Sequence, residues 1–175
     1  QTYGGITRPV VLEELGGQYL SRLQVTPFLR EGSWYIRAEG TVENLEDKPF
    51  DGSVGLYLED ERLAVLPVHA EAGETAAFAA EKLPCPKAEA WCPENPRLYF
   101  VSAILCAQDG QAADDLIDRM GFREIQIAGK DILLNGKKIR IKGFCRHEDR
   151  PQFGSSLPYA AMCRDLSLRR DLGAN

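Results

Sequence analysis

Histidine is nearly missing from these 175 residues: there are two, His69 and His147. Cysteine is present but badly arranged for structural work. Cys85, Cys92, Cys106, Cys145 and Cys163 are odd in number, and none stands in CxxC spacing. These scarcities argue against a Cys/His zinc site and against a complete disulfide framework. They favour a reducing compartment, the cytoplasm, with a Cys85–Cys92 pair across a loop as the one bridge worth weighing. Long apolar runs are missing too. None approaches the ~20 residues that span a bilayer, and the first residues lack the basic-then-apolar layout of a signal peptide. Gln1 stands where an initiator methionine would, so the chain is expected to be an excerpt of a longer polypeptide. Neither sign of charge is gathered into blocks. The formal net charge is −5 with acids and bases interspersed, so the electrostatic footprint of a nucleic-acid or anionic-membrane partner is absent. Asp114, Asp115 and Asp118 lack the regular oxygen spacing and distal glutamate of a calcium loop. They read as a solvated acidic turn between Gln108 and Met120, leading into a last strand.

What the chain does have is alternation. From Tyr19 to about Ala107, short apolar-polar runs are separated by turn clusters every ~8 to 12 residues, as in an all-β sandwich. Trp34, Ile36, Ala38, Gly40 and Val42 fall on one strand face, and Tyr35, Arg37, Glu39, Thr41 and Glu43 on the other. Trp34 therefore reads as a core tryptophan rather than a sugar-stacking platform. Val54, Leu56 and Leu58 repeat the pattern after an Asp51-Gly52 turn, and Ala76, Phe78 and Ala80 repeat it more weakly. Leu98 to Leu105 is apolar on both faces, which predicts a central strand. Val10-Val11-Leu12 predicts a strand between glycine turns at Gly4-Gly5 and Gly16-Gly17. His69, beside Pro67 in a loop-like stretch, receives no role.

The segment from Gly121 to Pro151 carries the chemistry. Ile125-Gln126-Ile127 and Lys138-Ile139-Arg140-Ile141-Lys142 both alternate, and Asn135-Gly136 between them is a type I′ hairpin signal. The second strand is expected to deliver Arg146, His147, Glu148 and Asp149 together to one end of a sheet, where sites are usually built. The residues alone leave two readings open: an ion-paired, capped turn, or a set of donors and acceptors for a hydroxyl-rich ligand. A helix follows from about Tyr159 to Leu172, with Met162, Cys163, Leu166 and Leu172 as its apolar stripe and Gly173 as its C-terminal cap.

The motifs GFREIQI, LLNGK, IKGFCRHEDRP and MCRDLSLRRDLGAN, with YGGITRPVVLE and WCPENPRLY earlier, resemble glycoside hydrolase family 2, the β-galactosidases and β-glucuronidases. The resemblance implies a mainly β chain: an immunoglobulin-like β-sandwich followed by the first strand and helix of an incomplete (β/α)8 barrel. Residues 1–15 would be the terminal strand of an N-terminal sugar-binding domain, 16–127 the sandwich, and 128–175 the junction hairpin and the start of the barrel. It implies a retaining β-glycosidase hydrolysing O-glycosyl bonds, with Asp149 accepting hydrogen bonds from sugar hydroxyls and His147 and Arg146 in the same substrate-binding pocket. The HED run leans towards the glucuronidases, whereas Cys145 departs from the asparagine or glycine common there. Both catalytic glutamates of the family lie on later barrel strands and Glu148 matches neither, so these residues alone are expected to be inactive. No cofactor, and no ligand set for magnesium or sodium, can be identified. One barrel strand and one helix cannot close a barrel, so the helix stripe is expected to pack back on the sandwich or against another copy in a homo-oligomer. Two further readings are a non-catalytic sandwich spacer or binding module, and a truncated pseudoenzyme.

Overall fold

Alternating segments turn into strands wherever one face can be buried, and here they yield seven in succession: β1 (Gln18–Arg30), β2 (Ser33–Asn44), β3 (Phe50–Leu58), β4 (Glu61–Ala70), β5 (Thr75–Pro84), β6 (Tyr99–Ala107) and β7 (Ala112–Met120). In the computed structural model, which describes residues 5–175, they pair antiparallel in two sheets ordered β1-β2-β5 and β4-β3-β6-β7. A three-stranded hairpin sheet follows, made of β8 (Ile125–Ala128), β9 (Asp131–Leu134) and β10 (Lys137–Lys138). The one helix among the described residues is α1 (Tyr159–Asp171). The chain divides into two units: residues 14–138 form one, and residues 5–13 with 139–175 the other. No helix among the described residues is long and apolar enough to cross a membrane.

The core is the sum of inward faces. β2 buries Ala38 and Val42, which cluster with Val54 and Leu56 of β3 and Ala103 and Leu105 of β6, and it buries Trp34 and Ile36, which cluster with Cys85, Tyr99 and Phe122. Gly40 is required by packing, because a Cβ there would lie 2.4 Å from the Phe78 ring and 2.3 Å from the Arg22 carbonyl oxygen. Towards one end of the sandwich, Phe122 is fully buried and makes edge-on contacts to Trp34 (5.6 Å between centroids) and Tyr99 (5.3 Å). The Tyr99 hydroxyl accepts from the Glu89 N–H at 2.8 Å, so its polar tip is matched as its ring is buried. The one buried polar residue among the described residues, Asn44, donates to the carbonyls of Lys48, Glu71 and Ala70 and accepts from the Glu46 N–H.

Several expectations are corrected. The Gly4 part of the first turn lies outside the described residues. Val10, Val11 and Leu12 form no strand and are exposed, since no neighbouring strand offers them a ladder. Asp51-Gly52 lies inside β3, where Gly52 is kept small by the Phe50 ring and the Cys106 carbonyl. His69 sits in β4 and bonds the Asp51 carboxylate at 2.7 Å. The acidic residues 114–118 are strand β7 rather than a turn; the turn precedes them, with Gly110 at φ 84°. Asp114 accepts from the Leu20 N–H at 2.7 Å. β6 is interior in its sheet, yet Phe100 on its outer face is 52% exposed. Asn135-Gly136 does make the left-handed pair, φ 52° and 75°, but it joins β9 to a two-residue β10. The ladder predicted for residues 138–142 ends at Lys138. Finally, Leu166 and Leu172 of the helix stripe are exposed, and no residue of α1 is fully buried.

Two outcomes follow from this core. Phe122→Ala should lower unfolding free energy by about 3–5 kcal/mol, whereas Phe100→Ala should stay within about 0.5 kcal/mol, both read by urea denaturation; equal effects would mean the outer face is packed too. The Cys85 thiol is pushed up to about 11 by burial and then by the charge of Glu61. Iodoacetamide near neutral pH should therefore label exposed Cys145 and Cys163 and reach Cys85 only after unfolding, as peptide mass spectrometry would show.

Candidate functional site

The segment 139–149 runs without a strand partner, so its backbone groups must be met in another way. Side chains from α1 and the residues just after it do this. Arg169 donates from its two terminal nitrogens to the carbonyls of Phe144 (2.9 Å) and Cys145 (2.7 Å). Asn175 accepts from the Lys142 N–H at 2.8 Å through its side chain, donates to the Arg140 carbonyl at 3.1 Å, and donates its own N–H to the Lys142 carbonyl at 3.1 Å. The chain then turns at Arg150, whose carbonyl accepts from the Gly154 N–H at 2.7 Å, and enters α1 through Pro158. The helix presents Ala161, Asp165 and Arg169, four residues apart and half-buried, as its packed face.

A chain of charges crosses this arrangement. Arg146, with a side chain 15% exposed, donates from Nη1 to Glu148 Oε1 at 2.7 Å and from Nη2 to Asp165 Oδ2 at 3.4 Å. Asp165 also pairs with Arg150, and Glu148 with Arg8, whose Nη1 donates to the Ser155 carbonyl at 3.3 Å. The Arg146 Nε is buried without a protein partner. Burial alone would raise the Asp165 carboxyl, but the hydrogen bonds and charges of Arg150 and then Arg146 outweigh it and hold it below the usual carboxylate range.

His147 and Asp149 take the other side. Both are exposed, and neither makes a side-chain hydrogen bond or ion pair among the described residues. Arg146, grouped with them in the sequence reading, is instead turned to Glu148 and Asp165. The sequence reading missed Asp165, Arg169, Asn175 and Arg8. Asp165 and Arg169 carried a usable signal, an acid and a base four apart on one helix face. Among the described residues, no group of three or more His, Cys, Asp or Glu is placed to hold a metal ion.

The chain matches two family models in order: glycosyl hydrolases family 2 over residues 18–123, and the TIM barrel domain of that family over residues 125–175. A β-galacturonidase from Eisenbergiella tayi, solved with galacturonate, is 59% identical with a TM-score of 0.94 over 100% of this chain and 31% of its own. A β-glucuronidase from Paenibacillus borealis is 27% identical over 99% of this chain and 27% of its own length. A β-galactosidase from Pectobacterium atrosepticum is 28% identical over 98% of this chain and 17% of its own. The chain thus spans less than a third of each of these relatives. Successive matches to the sandwich and to the opening of the barrel, on a structure with a sandwich followed by this clamped segment and helix, mean that the chain belongs to glycoside hydrolase family 2.

Proposed function

We propose that this chain is the sandwich and first barrel segment of a retaining β-glycosidase that releases a terminal hexuronic acid, galacturonate by preference. The observation that carries the reading is the division of labour along one short run: Arg146 and Arg150 are held on Asp165, while His147 and Asp149 alternate outwards with no protein partner. Asp149 offers two acceptor oxygens to adjacent ring hydroxyls, and His147 offers one nitrogen as donor and one as acceptor. Arg146 becomes a positioning residue, because its charge is already matched by Glu148 and Asp165.

Glu148 is no candidate for the acid/base or the nucleophile, since both its carboxylate oxygens are taken up by the guanidiniums of Arg8 and Arg146. Retention needs two carboxyls ~5 to 5.5 Å apart, and in this reading further barrel strands supply them. The preference for galacturonate rests on the 59% identical relative solved with that sugar. The matches to β-galactosidases and β-glucuronidases at similar identity fit a segment that reads hydroxyls common to both. The uronate carboxylate is then read by groups outside the 139–150 run.

In the full-length polypeptide carrying this chain, Asp149→Ala should lower kcat/KM on 4-nitrophenyl β-D-galacturonide about 10- to 150-fold, the worth of hydrogen bonds to a charged group. Retention of activity within about twofold would remove Asp149 from the site. Asp165 supplies a second test. Its carboxyl lies below the ordinary value of about 3.9, so its stabilisation is present above that value and is lost as pH falls through the lowered one. Asp165→Asn should therefore speed amide exchange across residues 140–150 at neutral pH, and the difference from wild type should vanish in strong acid. Matching exchange at neutral pH would show that the clamp does not order the segment.

A further inference from the structure

An open groove of about 540 Å³ on the sandwich unit is lined by Thr26 and Pro27 of β1, Trp91, Leu98, Arg119 of β7 and Arg123, among others. No aspartate or glutamate lines it, although the chain's net charge is −5. Two other grooves of the sandwich unit do carry acids: one Glu59, Asp60 and Glu61 beside Lys87, another Asp114 and Asp115. Neither Arg119 nor Arg123 has a carboxylate partner among the described residues.

The groove is built rather than incidental. The Arg123 guanidinium carbon lies 5.4 Å from the centre of the Trp91 ring, a cation–π contact that orients its fork. The Trp91 backbone is itself pinned: its amide N–H donates to the Phe122 carbonyl at 2.7 Å, and its carbonyl accepts from Asn135 Nδ2 at 2.9 Å. Gly121 leaves room for the indole, since a Cβ there would come within 2.8 Å of Trp91 Cδ1. A guanidinium so oriented binds a carboxylate through paired hydrogen bonds, and Arg119 adds a second positive charge to the same groove. Leu98 and Pro27 offer apolar surface to the C–H faces of a pyranose, and the Thr26 hydroxyl can give or take a hydrogen bond.

We propose that this groove is a second binding site for a hexuronate, formed wholly by the sandwich unit and sharing no residue with the His147–Asp149 run. The choice of a uronate among anions rests on the galacturonidase reading above. The site would hold an acidic glycan without cleaving it.

The test is calorimetric titration of the full-length polypeptide with galacturonate, galactose and inorganic phosphate, alongside turnover of the nitrophenyl galacturonide. Wild type should bind one more equivalent of galacturonate than the Arg119→Ala/Arg123→Ala variant, with turnover equal in the two. The Arg119→Lys/Arg123→Lys variant, which keeps charge but loses the forks, should keep that equivalent roughly tenfold weaker. Equal stoichiometry in wild type and the alanine variant, with thermal midpoints matched, would overturn the proposal. So would phosphate or galactose filling the arginine-dependent site as tightly as galacturonate. Turnover without an arginine-dependent equivalent would sink the groove alone; that equivalent without turnover would sink the galacturonidase activity and leave the groove standing.

Discussion

A guanidinium taken mostly out of water has to be met by carboxylates, and the arrangement of residues 139–175 follows from that requirement at Arg146. Its five donors need acceptors on two sides. Glu148 supplies one side from the same segment and Asp165 the other from α1, so the helix and the run before it are fixed to each other. Isolated exposed ion pairs contribute little, of the order of 0–1 kcal/mol. Here the pairs form a connected chain through Arg8, Glu148, Arg146, Asp165 and Arg150, with Arg146 largely shielded. Removing one member strands its neighbours, which is why the effect of the network exceeds that of its separate contacts.

The same segment shows how a strand-like run can be ordered without a ladder. Arg169 and Asn175 cap the carbonyls and an N–H that a neighbouring strand would otherwise take. The LGAN ending thereby acquires a structural role: Gly173, at φ 91°, turns the backbone out of the helix, and Asn175 returns to Arg140 and Lys142. The sandwich achieves its order differently, by apolar burial with few polar exceptions. Asn44 is the main one, and it satisfies both ends of its amide.

Where burial alone decides a side chain's direction, the fold was legible in the sequence. The strict alternation of Trp34 to Val42 predicted both the strand and its inner face, and Asn135-Gly136 predicted a turn that only left-handed residues fill. Legibility ended where tertiary partners decide. Asp51-Gly52 has turn chemistry, yet Gly52 is needed in mid-strand because the Phe50 ring and a neighbouring carbonyl crowd it. Asp114 to Asp118 look like a solvated turn but occupy an edge strand whose outer side faces water. In the helix, the apolar period pointed to Leu166 and Leu172, whereas the face that packs is set by Asp165 and Arg169. Grouping Arg146, His147 and Asp149 was likewise half legible. Their proximity follows from the chain, but which of them turns inward depends on an acid sixteen residues beyond Asp149.

Charge balance supports the proposal that Asp149 is the residue left for a ligand. The network holds three guanidiniums, Arg8, Arg146 and Arg150, against two carboxylates, Glu148 and Asp165. One positive charge is therefore left over, and Asp149 stands next in the chain to Arg150. Counted together, the six groups are neutral, so covering Asp149 with a bound sugar would not strand a net charge in a low-dielectric site. Asp149 itself makes no direct ion pair, so in that proposal both its carboxylate oxygens are available to hydroxyl donors. Had the surplus been matched by a fourth guanidinium lying on Asp149 itself, its acceptors would be filled and the run would have nothing to offer a sugar ring.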